Sequence, residues 1–174
     1  MGSITSMYEL RVPVVFTGKV ENMEIVETYG DSIRKIKEFL SRNQDPVLSR
    51  ERKIDEIVLN RKDTTPIRLK SNILGSTYQS LFRLALDLKS VSHQIISIEI
   101  EENNIYGTIK ILGTPTGKQI SSSLDIDPDF HEKIILRPVY AFYRSPPPGQ
   151  IPPFDINTFD IDFVDNNTQI HAIR

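Results

Sequence analysis

The side chains best suited to chemistry in this chain are three histidines and a run of three serines. His93, His131 and His171 lie far apart, on different predicted elements, whereas Ser121–Ser123 are consecutive. A histidine can activate a serine hydroxyl for attack on a carbonyl group when a third group orients the imidazole. His93 is the strongest candidate base, because it lies in a loop just before a predicted strand, where rigid scaffolds often present functional groups.

No motif completes such a site. The serines are not framed by a Gly-x-Ser-x-Gly turn, so we interpret Ser121–Ser123 as a helix surface or cap. No two histidines have the spacing of a metal-binding helix, and the chain has no cysteine. Gly113–Lys118 lacks the frame of a phosphate loop, since Gln119 stands where serine or threonine is needed. We therefore expect no catalytic residue, no metal and no cofactor.

The acidic residues of the second half also lack a ligand frame. A calcium loop needs oxygen ligands at fixed offsets around a turn glycine, and no such frame is present. We considered Asp125, Asp127, Asp129, Asp155, Asp160, Asp162 and Asp165. Alternation along the last strand instead predicts that Ile161 and Phe163 point inward and that Asp160 and Asp162 face solvent.

An aromatic and proline-rich stretch is the best candidate for a partner surface. Exposed aromatic and arginine side chains often anchor interfaces, and a proline run forms a stiff loop. The predicted partner-binding residues are Tyr140, Tyr143, Arg144, Pro147 and Pro148. The alternative is that Tyr140 and Phe142, which share a parity, belong to the core.

The composition is that of a soluble globular protein. The chain has 174 residues, of which 39% are hydrophobic, and a net charge of -2. We expect a single domain over residues 1–174, and nucleic-acid binding is disfavoured because no global positive field is present. The lack of cysteine favours an intracellular protein. With no signal-peptide core and no apolar run near about 18 residues, we expect no membrane association.

The sequence pattern of the first half of the chain predicts two strands, then a helix, then a further strand. Alternating apolar residues predict a strand over Tyr8–Val20, at a sheet edge because Pro13 cannot donate to a ladder. A short strand over Met23–Thr28 precedes a helix that Asp31 caps and that ends near Asn43. Residues 44–53 are predicted to be a loop, and Ile54–Asn60 a strand.

The second half predicts a helix, a hairpin, a short helix and two strands. A helix starts at Asn72 or Ser76, with an apolar stripe formed by Tyr78, Leu81, Phe82, Ala85 and Leu88. A hairpin follows, with Ile96, Ile98 and Ile100 and then Ile105, Ile109 and Ile111 on its inner face. Thr114–Leu124 contains a short helix, two strands complete the core, and residues 166–174 form a flexible tail.

These elements predict an α+β fold. It has two main helices and a mostly antiparallel sheet that is either curled or closed into a small barrel.

The order of elements in residues 73–165 resembles the tailed-phage head-maturation, or prohead, serine proteases. The resemblance rests on the stretches IISIEIEENNIYGTIKIL, GTPTGKQISSSL, IILRPVYAFYR and FDINTFDIDFVD. In that family a strand containing Tyr-Gly precedes a Gly-rich turn and a helix. A strand that starts with Ser-Ser-Arg follows, and the last strand reads Phe-Asp-Leu-Val. The resemblance implies that residues 73–165 form a protease-like core.

This chain departs from the family at the catalytic positions. Where the family has its nucleophilic serine before an arginine, the sequence reads Ile135-Leu136-Arg137, and neither apolar side chain can attack a carbonyl group. The family's histidine could correspond only to His93, which Gln94 follows in place of proline. The resemblance therefore implies a protease-like fold that lacks the catalytic serine.

Such a chain is expected to be a non-catalytic phage head-assembly protein that acts through protein-protein contacts. It would be a capsid component, a core or scaffold component, or a regulator or inhibitor of the prohead protease. Expected partners are phage capsid or prohead proteins, including the prohead protease, and the expected location is the virion or the host cytoplasm. The alternative is a divergent prohead-type serine protease that uses His93 and a serine among Ser121–Ser123.

Overall fold

The computed structural model describes residues 8–15, 18–20, 23–25, 29–47, 66–79, 85–101, 104–142 and 154–164. The strands are β1 (Tyr8–Pro13), β2 (Gly18–Val20), β3 (Met23–Ile25), β4 (Ile67–Arg68), β5 (Leu74–Gly75), β6 (His93–Glu101), β7 (Asn104–Ile111), β8 (Ile134–Phe142) and β9 (Phe154–Phe163). The helices are α1 (Tyr29–Asn43) and α2 (Pro115–Ile126), and the 3₁₀ turns are η1 (Leu88–Ser90) and η2 (Pro128–Lys133).

The described strands form three antiparallel sheets. The largest has the order β1-β7-β6-β4, and β5 pairs with β6 farther along the same strand. The other two sheets are the pairs β2-β3 and β8-β9. β1 lies at the end of the largest sheet, where Pro13 is tolerated because an edge strand needs fewer ladder donors. The structure confirms a mostly antiparallel α+β fold.

Two single bridges join the β8-β9 pair to the largest sheet. Val14 bridges Leu136 on the outer edge of β8, and Thr77 bridges Ile161 on the outer edge of β9, both in the parallel sense; Leu136 and Ile161 are themselves paired. Two backbone hydrogen bonds of 2.7 and 2.9 Å hold the second bridge. Because these links are isolated bridges rather than ladders, the described strands do not show the closed barrel that the sequence left as an option.

Helix α1 packs against β9 through its apolar stripe. Ile36, Phe39 and Leu40 are fully buried at helical spacing, as the sequence predicts. The Phe39 ring meets the Phe159 ring edge to face, with centroids 5.2 Å apart. The helix ends at Asn43 as predicted and begins at Tyr29, before the predicted cap.

Helix α2 confirms the short helix predicted in the Gly/Pro-rich stretch. Thr114 caps it, since its hydroxyl accepts the Gly117 amide proton at 3.1 Å. A Cβ on Gly117 would lie 2.0 Å from the Leu112 carbonyl oxygen and 2.9 Å from that of Ser92. Only glycine therefore lets the first turn of α2 lie this close to the backbone of the largest sheet.

The helix predicted to begin at Asn72 or Ser76 is wrong. The chain there forms a turn, β5 and an extended segment that pairs with β9. The Tyr78 amide donates to the Ile161 carbonyl at 2.7 Å, and the Ile161 amide donates to the Ser76 carbonyl at 2.9 Å. Pairing with a distant strand thus overrides an apolar spacing that is typical of a helix.

The hairpin of β6 and β7 is confirmed, with a correction to its inner face. The register shifts between Ile95 and Ser97, where β6 contains a β-bulge. Before the bulge Ile95 is fully buried and Ile96 is half-buried, whereas Ile98 and Ile100 are buried after it. A bulge adds one residue to a strand and reverses its alternation, so a strict period of two misplaces Ile96.

Other predictions from the sequence meet different outcomes. The strand predicted over Tyr8–Val20 is divided into β1 and β2, and the strand predicted over Met23–Thr28 is β3. The strand predicted at Ile54–Asn60, the predicted stripe residues Leu81 and Phe82, and the tail at residues 166–174 lie outside the described residues.

A carboxyl pair also links α1 to β9. Arg42 donates to the Ile156 carbonyl at 2.8 Å and lies 3.6 Å from Asp155 Oδ2. A hydrogen bond between Glu38 and Asp155, together with desolvation, raises the pKa of Glu38, and Arg34, 3.4 Å from Glu38 Oε1, opposes that rise. Protonated Glu38 therefore fits this contact better than ionised Glu38.

We predict that Glu38→Gln changes how stability depends on pH. Because the folded pKa of Glu38 is raised, its stabilising contribution is complete below the ordinary value of 4.5 and is lost as pH rises through the folded pKa. Glutamine keeps an amide donor for Asp155 and cannot ionise. Urea denaturation from pH 4 to pH 7 should show the variant gaining stability relative to the wild type as pH rises. A constant difference across this range would contradict the assignment.

Candidate functional site

His93 lies in a buried polar cluster where β5, β6 and β9 meet. Its side chain is fully buried, with Nδ1 2.7 Å from Ser92 Oγ and Nε2 2.9 Å from the Phe159 carbonyl oxygen. A carbonyl oxygen only accepts hydrogen bonds, so Nε2 carries a proton. In the neutral ring Nδ1 then accepts from the Ser92 hydroxyl. Both ring nitrogens are therefore occupied inside the protein.

The cluster requires a glycine on β5. A Cβ on Gly75 would lie 2.4 Å from the Phe159 carbonyl oxygen and 2.5 Å from His93 Nε2. The Ser92 amide donates to the Gly75 carbonyl at 2.9 Å. The backbone of β5 thus covers the His93 ring directly, because no side chain separates the two.

Asp160 belongs to the same region, and its predicted exposure is wrong. Its residue exposure is 1%, and its Oδ1 accepts the Ser76 amide proton at 3.0 Å. Thr158, on the same side of β9, donates its hydroxyl to the Leu74 carbonyl at 2.7 Å. We call these contacts between residues 74–78 and 158–161 the β5–β9 seam. They bury the face of β9 that was expected to meet solvent.

Phe163 likewise departs from its predicted inward orientation. It is 40% exposed, near the end of β9, and its ring stacks on Phe130 of η2 with centroids 5.4 Å apart. The prediction for Ile161 is confirmed, because this side chain is fully buried. Strict alternation fails in β9 because neighbours cover both of its faces in the middle.

The serines of α2 have separate environments. Ser121 is buried, and its hydroxyl has no hydrogen-bond partner among the described residues. Ser122 is exposed, and the Ser123 hydroxyl donates to the Gln119 carbonyl at 3.1 Å. Because Ser92 and Phe159 occupy the two His93 nitrogens, the structure gives this base no hydrogen bond to Ser121–Ser123.

The triplet Ile135-Leu136-Arg137 lies on β8. Ile135 and Leu136 are fully buried, and Arg137 forms an ion pair with Asp162 on the neighbouring strand. Tyr78 lies against this pair, with its ring centroid 5.7 Å from the Arg137 guanidinium carbon. Burial raises the pKa of Tyr78 while Arg137 opposes that rise. The position thus presents apolar core side chains and a paired arginine.

The predicted partner surface needs one correction. Tyr140 is 1% exposed and belongs to the hydrophobic core, so its side chain does not reach a partner. Lys35 Nζ lies 5.3 Å from the centroid of its ring. The alternative interpretation of Tyr140 as core is therefore confirmed. Tyr143, Arg144, Pro147 and Pro148 lie outside the described residues.

A cleft of about 480 Å³ adjoins the β5–β9 seam. Two other clefts on the described part of the chain are smaller, at about 350 and 230 Å³. The described lining of the large cleft consists of hydroxyl, amide, carboxyl and methyl side chains, namely Ser76, Thr77, Gln79, Ala85, Asp87, Ser90, Thr116 and Asp160. The cleft is therefore polar, with hydrogen-bonding groups on every described wall.

The described residues contain no group of three or more histidine and acidic side chains placed to hold a metal ion. None of the helices that the structure describes has the length and apolar character required to cross a membrane.

Sequence reasoning missed most of this site. It singled out His93, but the predicted helix hid the roles of Gly75, Ser76 and Thr77. A usable signal was the β-forming stretch Ile73-Leu74 directly before Gly75, since a glycine inside a strand often marks a close approach of another backbone. Asp160 gave no such signal, because its partner is 84 residues away.

We predict that Gly75→Ala lowers the free energy of unfolding by about 1–3 kcal/mol. The new methyl group would meet a backbone oxygen and a fixed imidazole, which cannot yield without opening the seam. Gly107→Ala is the matched control, because the atom that its Cβ would approach too closely is Leu136 Cδ1, at 2.6 Å, which is the end of a flexible side chain and not a backbone atom. Chemical denaturation of both variants tests this, and equal losses would contradict the assignment.

Comparisons of the chain with protein-family models, with curated proteins and with solved structures find no match.

Proposed function

We propose that this chain is a non-catalytic head-assembly protein of a tailed phage that acts through protein-protein contacts. The observation that carries the non-catalytic part is the complete burial of the Ser92–His93 pair, with both imidazole nitrogens engaged. A nucleophile and its base must reach a substrate, and this pair is closed off by β5 and β9. The phage assignment rests on the resemblance of residues 73–165 to prohead proteases.

The triplet on β8 supports the same proposal. In the resembling family the nucleophile precedes the arginine of this strand, and here the corresponding side chains are buried isoleucine and leucine. Arg137 pairs with Asp162 instead of lying beside a reactive group. A protease-like core of this kind would serve as a capsid, core or scaffold component, or as a regulator of the prohead protease, in the virion or the host cytoplasm.

A divergent serine protease is the second candidate. It is favoured by one observation, the buried Ser121 hydroxyl that has no hydrogen-bond partner among the described residues. For Ser121 to act, one nitrogen of the buried His93 ring would have to exchange its present partner, Ser92 or the Phe159 carbonyl oxygen, for the Ser121 hydroxyl, and the displaced polar group would lose its hydrogen bond inside the core. This cost makes the binding function the better supported one.

With Tyr140 in the core, the partner-binding residues that we propose are Tyr143, Arg144, Pro147 and Pro148. In the sequence these residues follow β8, which ends at Phe142. Arginine and tyrosine contribute strongly to interface affinity because they combine apolar area with hydrogen bonding. The partners proposed are phage capsid or prohead proteins, including the prohead protease.

Chemical labelling tests the non-catalytic part. We expect a fluorophosphonate probe to leave the folded chain unlabelled, because neither Ser92 nor Ser121 is open to solvent. The intact mass should also stay constant on incubation alone and with prohead protein. Trypsin labelled in parallel is the positive control. A single adduct at Ser92 or Ser121–Ser123 that requires the folded state would overturn this part of the proposal.

Sedimentation tests the head-assembly part. The tagged full chain, produced during infection of the host, should sediment with proheads in a glycerol gradient. The double variant Y143A/R144A should associate at least about tenfold more weakly, which corresponds to the loss of an interface anchor. Its melting temperature should stay within a few degrees of the wild type.

The matched control for this surface is Tyr140→Ala. Because Tyr140 is buried, we expect it to cost about 3–5 kcal/mol of folding stability. If Y143A/R144A sediments with proheads as the wild type does, the segment after β8 is not the partner surface. If the wild-type chain stays at the top of the gradient, the head-assembly assignment is contradicted.

A further inference from the structure

The extended segment at residues 76–79 pairs with β9 through only one of its two edges. In the bridge to Ile161, Ser76 supplies its carbonyl oxygen and Tyr78 supplies its amide proton. Backbone groups of successive residues in an extended chain point to opposite sides. The N–H and C=O groups of Thr77 and Gln79 therefore point away from β9.

These groups point to the side on which β5 pairs with β6. Gly75, which has the same parity as Thr77, is paired with β6, since its carbonyl accepts the Ser92 amide proton at 2.9 Å. Beyond this bond the two chains separate. The Thr77 and Gln79 amides have no hydrogen-bond partner in the described part of the chain, and the Thr77 carbonyl has one long contact of 3.4 Å from the Ser76 hydroxyl.

The separation has a visible cause. Val91 would lie opposite Thr77 if the ladder between β5 and β6 continued. Instead, its carbonyl oxygen accepts the hydroxyl proton of Thr114, at the start of α2. Before Val91 the chain turns into η1, which Asp87 caps by accepting the Lys89 amide proton at 3.0 Å. The chain before β6 is thus held against α2 and away from residues 76–79. The 480 Å³ cleft occupies the gap that results.

The chemistry of the cleft favours a basic guest. Asp87 and Asp160 are the only charged side chains among the described residues that line it. Asp160 is buried, whereas Asp87 is exposed. A guest with a lysine or arginine side chain would therefore complement the charge of the cleft.

We propose that the cleft binds an extended, lysine- or arginine-containing segment of a partner protein as an added strand beside residues 76–79. The segment would pair its backbone with the open N–H and C=O groups of Thr77 and Gln79, a common mode of peptide recognition. Its basic side chain would lie against Asp87. This inference rests on the proposed protein-binding function and names the chemistry of the partner segment.

Peptide selection tests the proposal. A random heptapeptide display library is selected on the full chain and counter-selected on Thr77→Pro, which lacks the edge N–H. Thr77→Val is the matched control, since it removes the hydroxyl and keeps the N–H. We expect the enriched peptides to contain lysine or arginine and to bind Thr77→Pro at least about tenfold more weakly, with Thr77→Val within about twofold of the wild type.

Asp87→Asn separates charge from backbone pairing. Asparagine keeps an oxygen that can cap η1, so the fold is preserved while the carboxylate is lost. We expect basic peptides to bind this variant more weakly and with a smaller dependence on salt. Equal binding to the wild type and to Asp87→Asn would overturn the basic-guest part.

Hydrogen exchange tests the same pairing without a variant that could fail to fold. In the free chain the Thr77 amide should exchange faster than the Tyr78 amide, which is bonded to β9. An enriched peptide should slow exchange at Thr77 by at least about tenfold, and methylation of its backbone nitrogens should abolish the effect. No enriched peptide, or no added protection at Thr77, would overturn the proposal.

The two proposals can fail separately. If the wild-type chain and Thr77→Pro sediment equally with proheads and no peptide is selected, the cleft inference fails and the head-assembly function stands. If peptides bind as expected but the chain does not sediment with proheads, the cleft inference stands and the phage assignment fails.

Discussion

The close approach of two backbones at Gly75 sets the geometry of the second half of the protein. At this point β5 lies against the Phe159 carbonyl oxygen and the His93 ring with no side chain between them. The imidazole then bridges Ser92 to β9, and the chain after Gly75 comes within hydrogen-bonding distance of Asp160. Any larger residue would push the two sheets apart and break these contacts together. The polar cluster therefore holds the sheets in register, because each buried polar group has its partner across the seam.

The Ser92–His93 pair brings two reactive residue types into contact in the interior of the protein. The distance of 2.7 Å suits proton transfer, but both residues are fully buried and the second nitrogen is bound to a backbone oxygen. The same arrangement that makes the histidine a structural bridge buries its ring completely. The cleft next to this pair differs from it, because the cleft is open to solvent and its described lining residues include no assembled reactive pair.

Much of the fold was predictable, because local patterns were obeyed where one face of an element is buried. The apolar stripe of α1, the presence of the short helix α2 and the inward isoleucines of β7 agree with what the local sequence pattern predicts. The failures lie where contacts distant in sequence decide the conformation. Residues 72–79 have helix-like spacing, but β5 pairs with β6 and Thr77 bridges to β9. Asp160 was misplaced because its burial depends on the Ser76 amide. Within the site, His93 was found from its position before a strand, whereas the glycine that covers it was missed.

The β5–β9 seam also has a consequence for how the chain folds. Hairpins such as β6-β7 join residues close in sequence and can form early, whereas the seam joins residues 84 positions apart. Closing so large a loop is entropically costly, and proteins rich in such non-local pairings fold slowly. Until the seam closes, the edges of β5 and β9 are both unpaired and able to bind other chains. The period before closure is therefore when this protein is most prone to aggregate, and its folding yield should depend strongly on concentration.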